Sequence, residues 1–239
     1  RQRQMCIRDR QLSGTGCMTL LSDRRGMTMR AIRPLEPSPL LKVSGRIGVD
    51  LGELSLGGTA PGIAAKDAIA CSVSGGEHFF AALQQVHCVA APIRNLRGEL
   101  AGVLDLTIDG QPFGFDAASL VRLTALAIER RLVTGQLEAR GHWQVHFHPR
   151  AEWLQTALAA SVAFDEDGRI VWCNAAARSL CSALEASAAP GSDRIGIDAL
   201  LSVGRGTLQS APLLGGVGST REGPGLPLSL IHISEPTRL

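Results

Sequence analysis

The pattern of apolar and polar positions is clearest between Gly75 and Asp105. A polar start, Gly75-Gly76-Glu77-His78, leads into Phe79, Phe80 and Leu83, whose spacing predicts a helix. Two apolar runs follow, Cys88 to Ile93 and Leu100 to Leu106, and each predicts a strand. The Asn95-Leu96-Arg97-Gly98 segment between them suits a hairpin turn. Upstream, Met18 to Ser22 and Met27 to Ile32 flank Asp23-Arg24-Arg25-Gly26 and predict an opening hairpin. Pro34, Pro37 and Pro39 break regular structure. Val43 to Ala68 is Gly-rich and reads as loop with a short helix, and Ile69 to Val73 as a central strand. Downstream, Asp116 is placed to cap a long helix over Ala117 to Leu137. Its stripe runs through Val121, Ala125, Ile128 and Leu132, widened by Leu120, Leu123 and Ala127.

Arg140 to Pro149 is a polar break and a candidate linker. Glu152 to Ala160 then predicts a short helix. Two apolar strands follow, around Asp165-Glu166-Asp167-Gly168, and Asn174 is placed to cap a helix from Ala175 to Leu184. Beyond Ala186 the pattern fades. Pro190-Gly191 turns the chain, Ile195 to Leu201 suits a short helix, and Leu213 to Pro227 is rich in Gly and Pro.

Four segments in order resemble the GAF sensory domain of bacterial sigma-54-dependent activators, the acetoin-catabolism activator group in particular. They are Leu56-Gly57-Gly58-Thr59-Ala60-Pro61-Gly62, Glu77-His78-Phe79-Phe80, Cys88-Val89-Ala90-Ala91-Pro92-Ile93 and Gly98 to Leu106. The chain departs from that group at Leu51, where Trp is frequent, and at Gly58, where Thr is common. Residues 153–184 resemble the first hairpin and helix of a PAS domain. The resemblance implies an α+β fold. A GAF-type antiparallel sheet flanked by helices, with its connector helix, would occupy 17–139, and a partial PAS-like domain 150–227.

It also implies a sensory, regulatory fragment without catalytic residues. A small effector would bind near His78, Phe79, Cys88 and Ala90, and a homodimer would form through the connector helix. The signal would pass to an ATPase and a DNA-binding part beyond this region. Two other outputs stay open, a histidine kinase or a cyclic-nucleotide enzyme. A thiol-based methionine sulfoxide reductase is a further reading.

Composition changes this picture in three places. The chain has 239 residues and a net charge of +2, but the first ten residues alone carry +3, leaving the remainder at −1. That is no basic patch for nucleic acid, so no DNA contact is expected of this fragment. Residues 1–10 and 229–239 resemble translated sequencing-adapter sequence and are set aside as an expected artefact. Six cysteines without a C-x-x-C favour reduced thiols in a cytoplasmic protein. No run approaches the roughly 20 apolar residues of a membrane helix.

Candidate chemistry is sparse. No Gly-Lys pair exists for a phosphate-binding loop, so no nucleotide cofactor is expected. Of His142, His146 and His148, the i, i+4 pair would share a helix face, but no carboxylate completes a set, so no metal is expected. Cys71 and Cys88 read as small buried hydrophobes unless a neighbour activates them.

Overall fold

The computed structural model describes residues 15–148, 150–154, 156–180, 218–219 and 230–234. It is α+β and divides into two units, one ending at Glu129 and the other beginning at Arg130.

The first unit contains β1 (Met18–Ser22), β2 (Thr28–Ile32), α1 (Pro39–Ser44), α2 (Glu53–Leu56), α3 (Ala60–Asp67), β3 (Cys71–Ser74), β4 (Val86–Arg94) and β5 (Leu100–Asp109). The helix α4 (Ala117–Glu138) follows, and the division into units falls within it. The strands form one sheet in the order β2-β1-β5-β4-β3, every pair antiparallel.

Each tight hairpin uses the same device. In β1–β2, Asp23 Oδ1 accepts from the amides of Arg25 (2.8 Å) and Met27 (3.0 Å). In β4–β5, Asn95 Oδ1 accepts from Arg97 and Glu99 (2.9 and 3.0 Å). A short side-chain acceptor thus closes the turn, and the glycine three residues on, Gly26 or Gly98, takes a positive φ. A register shift lies beside each turn, as an inserted residue requires.

Both sheet faces are covered. On one, Val89, Ala91, Ile93, Leu104 and Leu106 pack with Ala117, Val121 and Ala125 of α4. On the other, Val73, Cys88, Ala90 and Val103 pack with Ala60 and Ala64 of α3, while Met18 and Leu20 pack with Leu41 and Leu51. Thr59 caps α3: its hydroxyl oxygen accepts from the Gly62 amide (3.2 Å) while its proton goes to the Leu51 carbonyl (2.9 Å). Asp116 caps α4 through the Ser119 amide (3.0 Å), as its position before the apolar stripe predicted.

Several expectations are corrected. Pro39 does not break structure; it opens α1, where its missing N–H costs nothing and Ser38 supplies the cap. β3 is an edge strand, not a central one, and Ile69 stands before it, exposed. The predicted helix after Gly75 is replaced by two 3-10 turns, Gly75–Glu77 and Ala81–Leu83. Ser74 and Glu77 form a capping box, but His78 and Phe80 then take extended backbone angles (ψ 137° and 133°), so no helix propagates between the turns.

The second unit contains β6 (Trp143–His148), β7 (Ala160–Phe164), β8 (Ile170–Cys173), α5 (Ala175–Leu180), β9 (Gly218–Ser219) and β10 (Leu230–Ser234), with sheet order β8-β7-β6-β10-β9. The stretch read as a polar linker therefore holds a strand. Val145 and Phe147 face its core, and the intervening Gln144 and His146, both buried, disguised the alternation. The predicted 152–160 helix is only a 3-10 turn, Ala151–Trp153. The 165–168 hairpin repeats the turn device: Asp165 Oδ1 accepts from Asp167 and Arg169 (3.1 and 2.8 Å) around Gly168. Asn174 caps α5 through the Ala177 amide (2.8 Å), and its Oδ1 also accepts from Ser161 (3.0 Å). Leu230–Ser234, within the tail set aside as adapter-like, pairs with β6. The expected helix at Ile195 to Leu201 and residues 1–10 lie outside the described residues.

Candidate functional site

The α3-covered face is where the sequence-predicted residues partly meet. Strand register lays it out in transverse rows. Leu20, Asp105, Ala90 and Cys71 form one row across β1, β5, β4 and β3; Met18, Thr107, Cys88 and Val73 form the next. A third, on the other side of the Asp105 row, holds Ser22, Val103 and Pro92. Paired residues in antiparallel strands point to the same side, so these side chains share one surface. Cys88 and Ala90 lie on it, both buried.

His78 is also buried, directly after the 3-10 turn that follows β3. Its Nδ1 lies 3.1 Å from the Gly75 carbonyl oxygen, so Nδ1 carries the proton in the neutral ring. Nε2 is then an acceptor, and it has no hydrogen-bond partner among the described residues. Phe79 does not join the others. It is 77% exposed, makes an edge-to-face contact with Phe80, and lies so close to Gly57 that a Cβ there would sit 2.7 Å from its own.

The same face carries polar groups that pattern reading passed over. Asp105 is 1% exposed at the middle of the sheet. Its Oδ2 is 2.5 Å from Thr107 Oγ1, which is itself 3.4 Å from Cys88 Sγ. Thr107 has one proton to give and two acceptors in reach: its hydroxyl donates to Asp105 Oδ2, and Cys88 Sγ is the alternative acceptor. Burial raises the Asp105 carboxyl from its ordinary 3.8 to about 7, against the opposing effect of the Thr107 hydrogen bond. Asp105 Oδ1 and the Ser22 hydroxyl are buried with no hydrogen-bond partner among the described residues. Such an unmet group costs about 1–3 kcal/mol. The available signal was Asp105 itself, a single carboxylate inside the apolar run Leu100 to Leu106.

The thiols gain no activation here. Burial first, and then the nearby Asp105 charge, pushes both Cys71 and Cys88 up, away from the thiolate form a nucleophile needs. The two lie in neighbouring rows on adjacent strands, diagonal to each other, and both are free.

The three histidines considered as a ligand set, His142, His146 and His148, are not on a helix. His146 lies within β6, buried, with Nδ1 2.7 Å from Ser161 Oγ; His148 stacks on Trp153 at 5.9 Å. Among the described residues no group of three His, Cys, Asp or Glu is placed to hold a metal ion. Nor, among them, is any helix long and apolar enough to cross a membrane.

A groove of about 380 Å³ opens at the outer side of α3, lined by Arg24, Arg25, Asp50, Glu53, Gly62 and Lys66 among others. Within it Lys66 pairs with Glu53 at 2.6 Å, and Asp50 accepts from Ser55 and the Gly52 amide, which hold its carboxyl below the ordinary range. It is a solvated surface, distinct from the sheet face.

No protein-family model matches the chain. Over 192 residues it is 30% identical to the acetoin catabolism regulatory protein of Cupriavidus necator, a stretch that takes in 78% of this chain and 28% of that protein. The chain thus spans little more than a quarter of the relative's length. Among solved structures, the E. coli DhaR(N)–DhaL complex shares the fold at 15% identity and a TM-score of 0.51, covering 97% of this chain and 82% of that one. Pseudomonas aeruginosa HmgR overlaps 54% of this chain and 65% of its own at 15% identity, with a TM-score of 0.38. The relative found by sequence is a regulator. The sequence likeness is to part of a regulatory protein, and the solved structure shows a shared fold.

Proposed function

We propose that this chain is the sensory region of a bacterial sigma-54-dependent transcriptional activator, with a GAF-type first unit and a PAS-like second one. The observation that carries the reading is the 192-residue likeness to a regulator of acetoin catabolism. Within the first unit, the buried rows under α3 are the surface for a small effector, with Cys88 and Ala90 as part of its floor and His78 and Phe79 nearer its edge. An effector that binds one conformation of this face better than another shifts the population between them. The long helix α4 leaves the same unit and is the route by which that bias reaches the output. Leu120, Leu123 and Leu126 of α4 are 40%, 47% and 41% exposed, an apolar surface suited to a homodimer. The protein would work in the cytoplasm, with ATP hydrolysis and DNA recognition supplied by parts outside this chain.

Calorimetric titration of the whole chain against small alcohols, diols and carbonyl compounds tests the sensor. Saturable binding to folded protein is the expected result. A folded chain that binds none of them overturns the reading of a direct small-molecule sensor.

A further inference from the structure

The groove at the outer side of α3 carries positive charge that the fold itself does not engage. Its volume of about 380 Å³ falls within the roughly 300–1,000 Å³ of small-molecule sites. Three segments converge to make it: the β1–β2 turn, residues 50–54 and α3. They meet backbone to backbone. A Cβ on Gly62 would lie 2.9 Å from the Leu51 carbonyl oxygen, and one on Gly52 would lie 3.3 Å from the Arg25 carbonyl oxygen. The Leu51 amide also donates to the Gly26 carbonyl at 3.0 Å. The turn that bears Arg24 and Arg25 is therefore fastened to the segment that meets α3, and the hollow they enclose is built by the backbone. Within it Glu53 is engaged by Lys66 at 2.6 Å, and Asp50 by Ser55 and the Gly52 amide. Arg24 and Arg25 line the same groove, yet among the described residues neither guanidinium has a hydrogen-bond or ion-pair partner. Leu54, in the same lining, is fully exposed.

We propose that this groove binds a small organic oxyanion, a carboxylate or phosphate ester with a short apolar body, with Arg24 and Arg25 holding the anion and Leu54 and Ala65 meeting the body. The site is separate from the sheet face under α3 and does not depend on the sensor reading. The chemistry narrows the choice. Guanidinium groups carry donors and no acceptor, so the ligand must accept. Their paired N–H groups match two oxygens of one carboxylate or phosphate, and the charge strengthens each hydrogen bond. An ammonium would meet two like charges, and the two carboxylates that could hold it, Asp50 and Glu53, already have partners. A neutral alcohol accepts without charge, so in an open groove it gains little over water. A bare inorganic anion would leave Leu54 in solvent and forgo the apolar contact.

The test is an amide-shift titration by NMR of the whole chain with hexanoate, hexyl phosphate, hexylamine, hexanol and inorganic phosphate, four of them sharing one apolar body. Wild type, Arg24→Gln, Arg25→Gln and the double variant are compared with Arg30→Gln, which removes the same charge from an exposed position on β2 outside the groove. All three arginines are exposed, so each variant should keep the wild-type amide spectrum, which is recorded first. Hexanoate or hexyl phosphate should give saturable shifts at the Gly26, Gly52 and Gly62 amides, and the tighter of the two tells a carboxylate site from a phosphate one. Arg24→Gln and Arg25→Gln should each weaken that binding about fivefold, the loss of one charge-assisted contact at an open site, and the double variant should not saturate. Hexylamine and hexanol should leave the three amides unshifted. Binding of either there as tightly as hexanoate would overturn the anion class. Inorganic phosphate bound as tightly as hexyl phosphate would overturn the apolar body. Equal weakening by Arg30→Gln would reduce the effect to overall charge and overturn the site. Folded wild type whose three amides are unmoved by both organic oxyanions would overturn the proposal outright and leave the sensor reading untouched.

Discussion

Along β4 and β5, alternate residues go to different covers, and the two sides are not built alike. Toward α4 the side chains are Val89, Ala91, Ile93, Leu104 and Leu106, an apolar layer. Toward α3 they include Cys88, Ala90 and Val103 but also Thr107 and the buried Asp105, with Ser22 alongside on β1. The first side can be explained by burial alone. The second carries groups that lower stability unless something partners them. The comparison can be broken by showing that the polar side costs nothing, or that the apolar side is dispensable.

The largest effect belongs to Asp105. Its carboxyl is raised from 3.8 to about 7 in the folded chain. Between those values the unfolded chain has released the proton while the folded chain still holds it. Stability is therefore full below about pH 4, falls as pH rises, and is lowered by up to about 4 kcal/mol above pH 7. Cys71 and Cys88 are the titratable groups facing it on β3 and β4, and both are pushed up, so they stay neutral through this window. Urea unfolding of wild type and Asp105→Asn from pH 4 to pH 8 measures the difference. The Asn variant should lack this component of the slope and be the more stable of the two at pH 8. Parallel curves would mean that Asp105 is not held neutral, and the contrast between the faces would weaken.

Leu106→Ala probes the other side. Leu106 is 2% exposed within the apolar layer, and removing its side chain should cost about 3 kcal/mol with little dependence on pH. A loss below about 1 kcal/mol would show that this face does not hold the unit together as a packed core does.

How much of this was legible follows from the same two strands. β4 and β5 are covered on both faces, so they read as unbroken apolar runs; that fixed their existence but hid which residue faced which helix. The three Asp/Asn-to-Gly turns were visible because their hydrogen bonds are local. The Asp116 and Asn174 caps were visible for the same reason. By contrast, the pairing of Ser22 with the row beside Asp105 depends on β5 lying next to β1, a contact across more than eighty residues that no local pattern encodes. Sequence spacing likewise suggested a helix through Phe79 and Phe80, because it cannot register the extended backbone at His78 that ends the first turn.

Thr107→Val sharpens the comparison within the polar side. It keeps the shape of the side chain and removes the hydroxyl between Asp105 and Cys88. Asp105 Oδ2 is then left unmet, at a cost of about 1–2 kcal/mol. The Thr107 hydrogen bond opposes the upward shift of the Asp105 carboxyl, so its loss should move the pH midpoint of the stability curve higher still. Urea unfolding at several pH values gives both quantities. An unchanged midpoint would show that Thr107 donates to Cys88 rather than to Asp105.

Phe79→Ser should have the smallest effect, and it bears on where the proposed effector face ends. An aromatic residue in a GAF-like signature invites the expectation of a core or ligand-wall role, but here the ring is 77% exposed and its neighbours are Phe80 and the backbone at Gly57. Little apolar area returns to water when it is removed, so thermal unfolding should register a change of about 0.5 kcal/mol or less. Stability and binding then separate its two possible roles. If effector binding persists in Phe79→Ser, the site is confined to the strand rows under α3 and the ring lies outside it. If binding is lost while stability is unchanged, the ring closes over the ligand, and its exposure is that of a side chain waiting at the edge of the site. A large loss of stability would contradict both, because it would require Phe79 to be packed where the structure leaves it open.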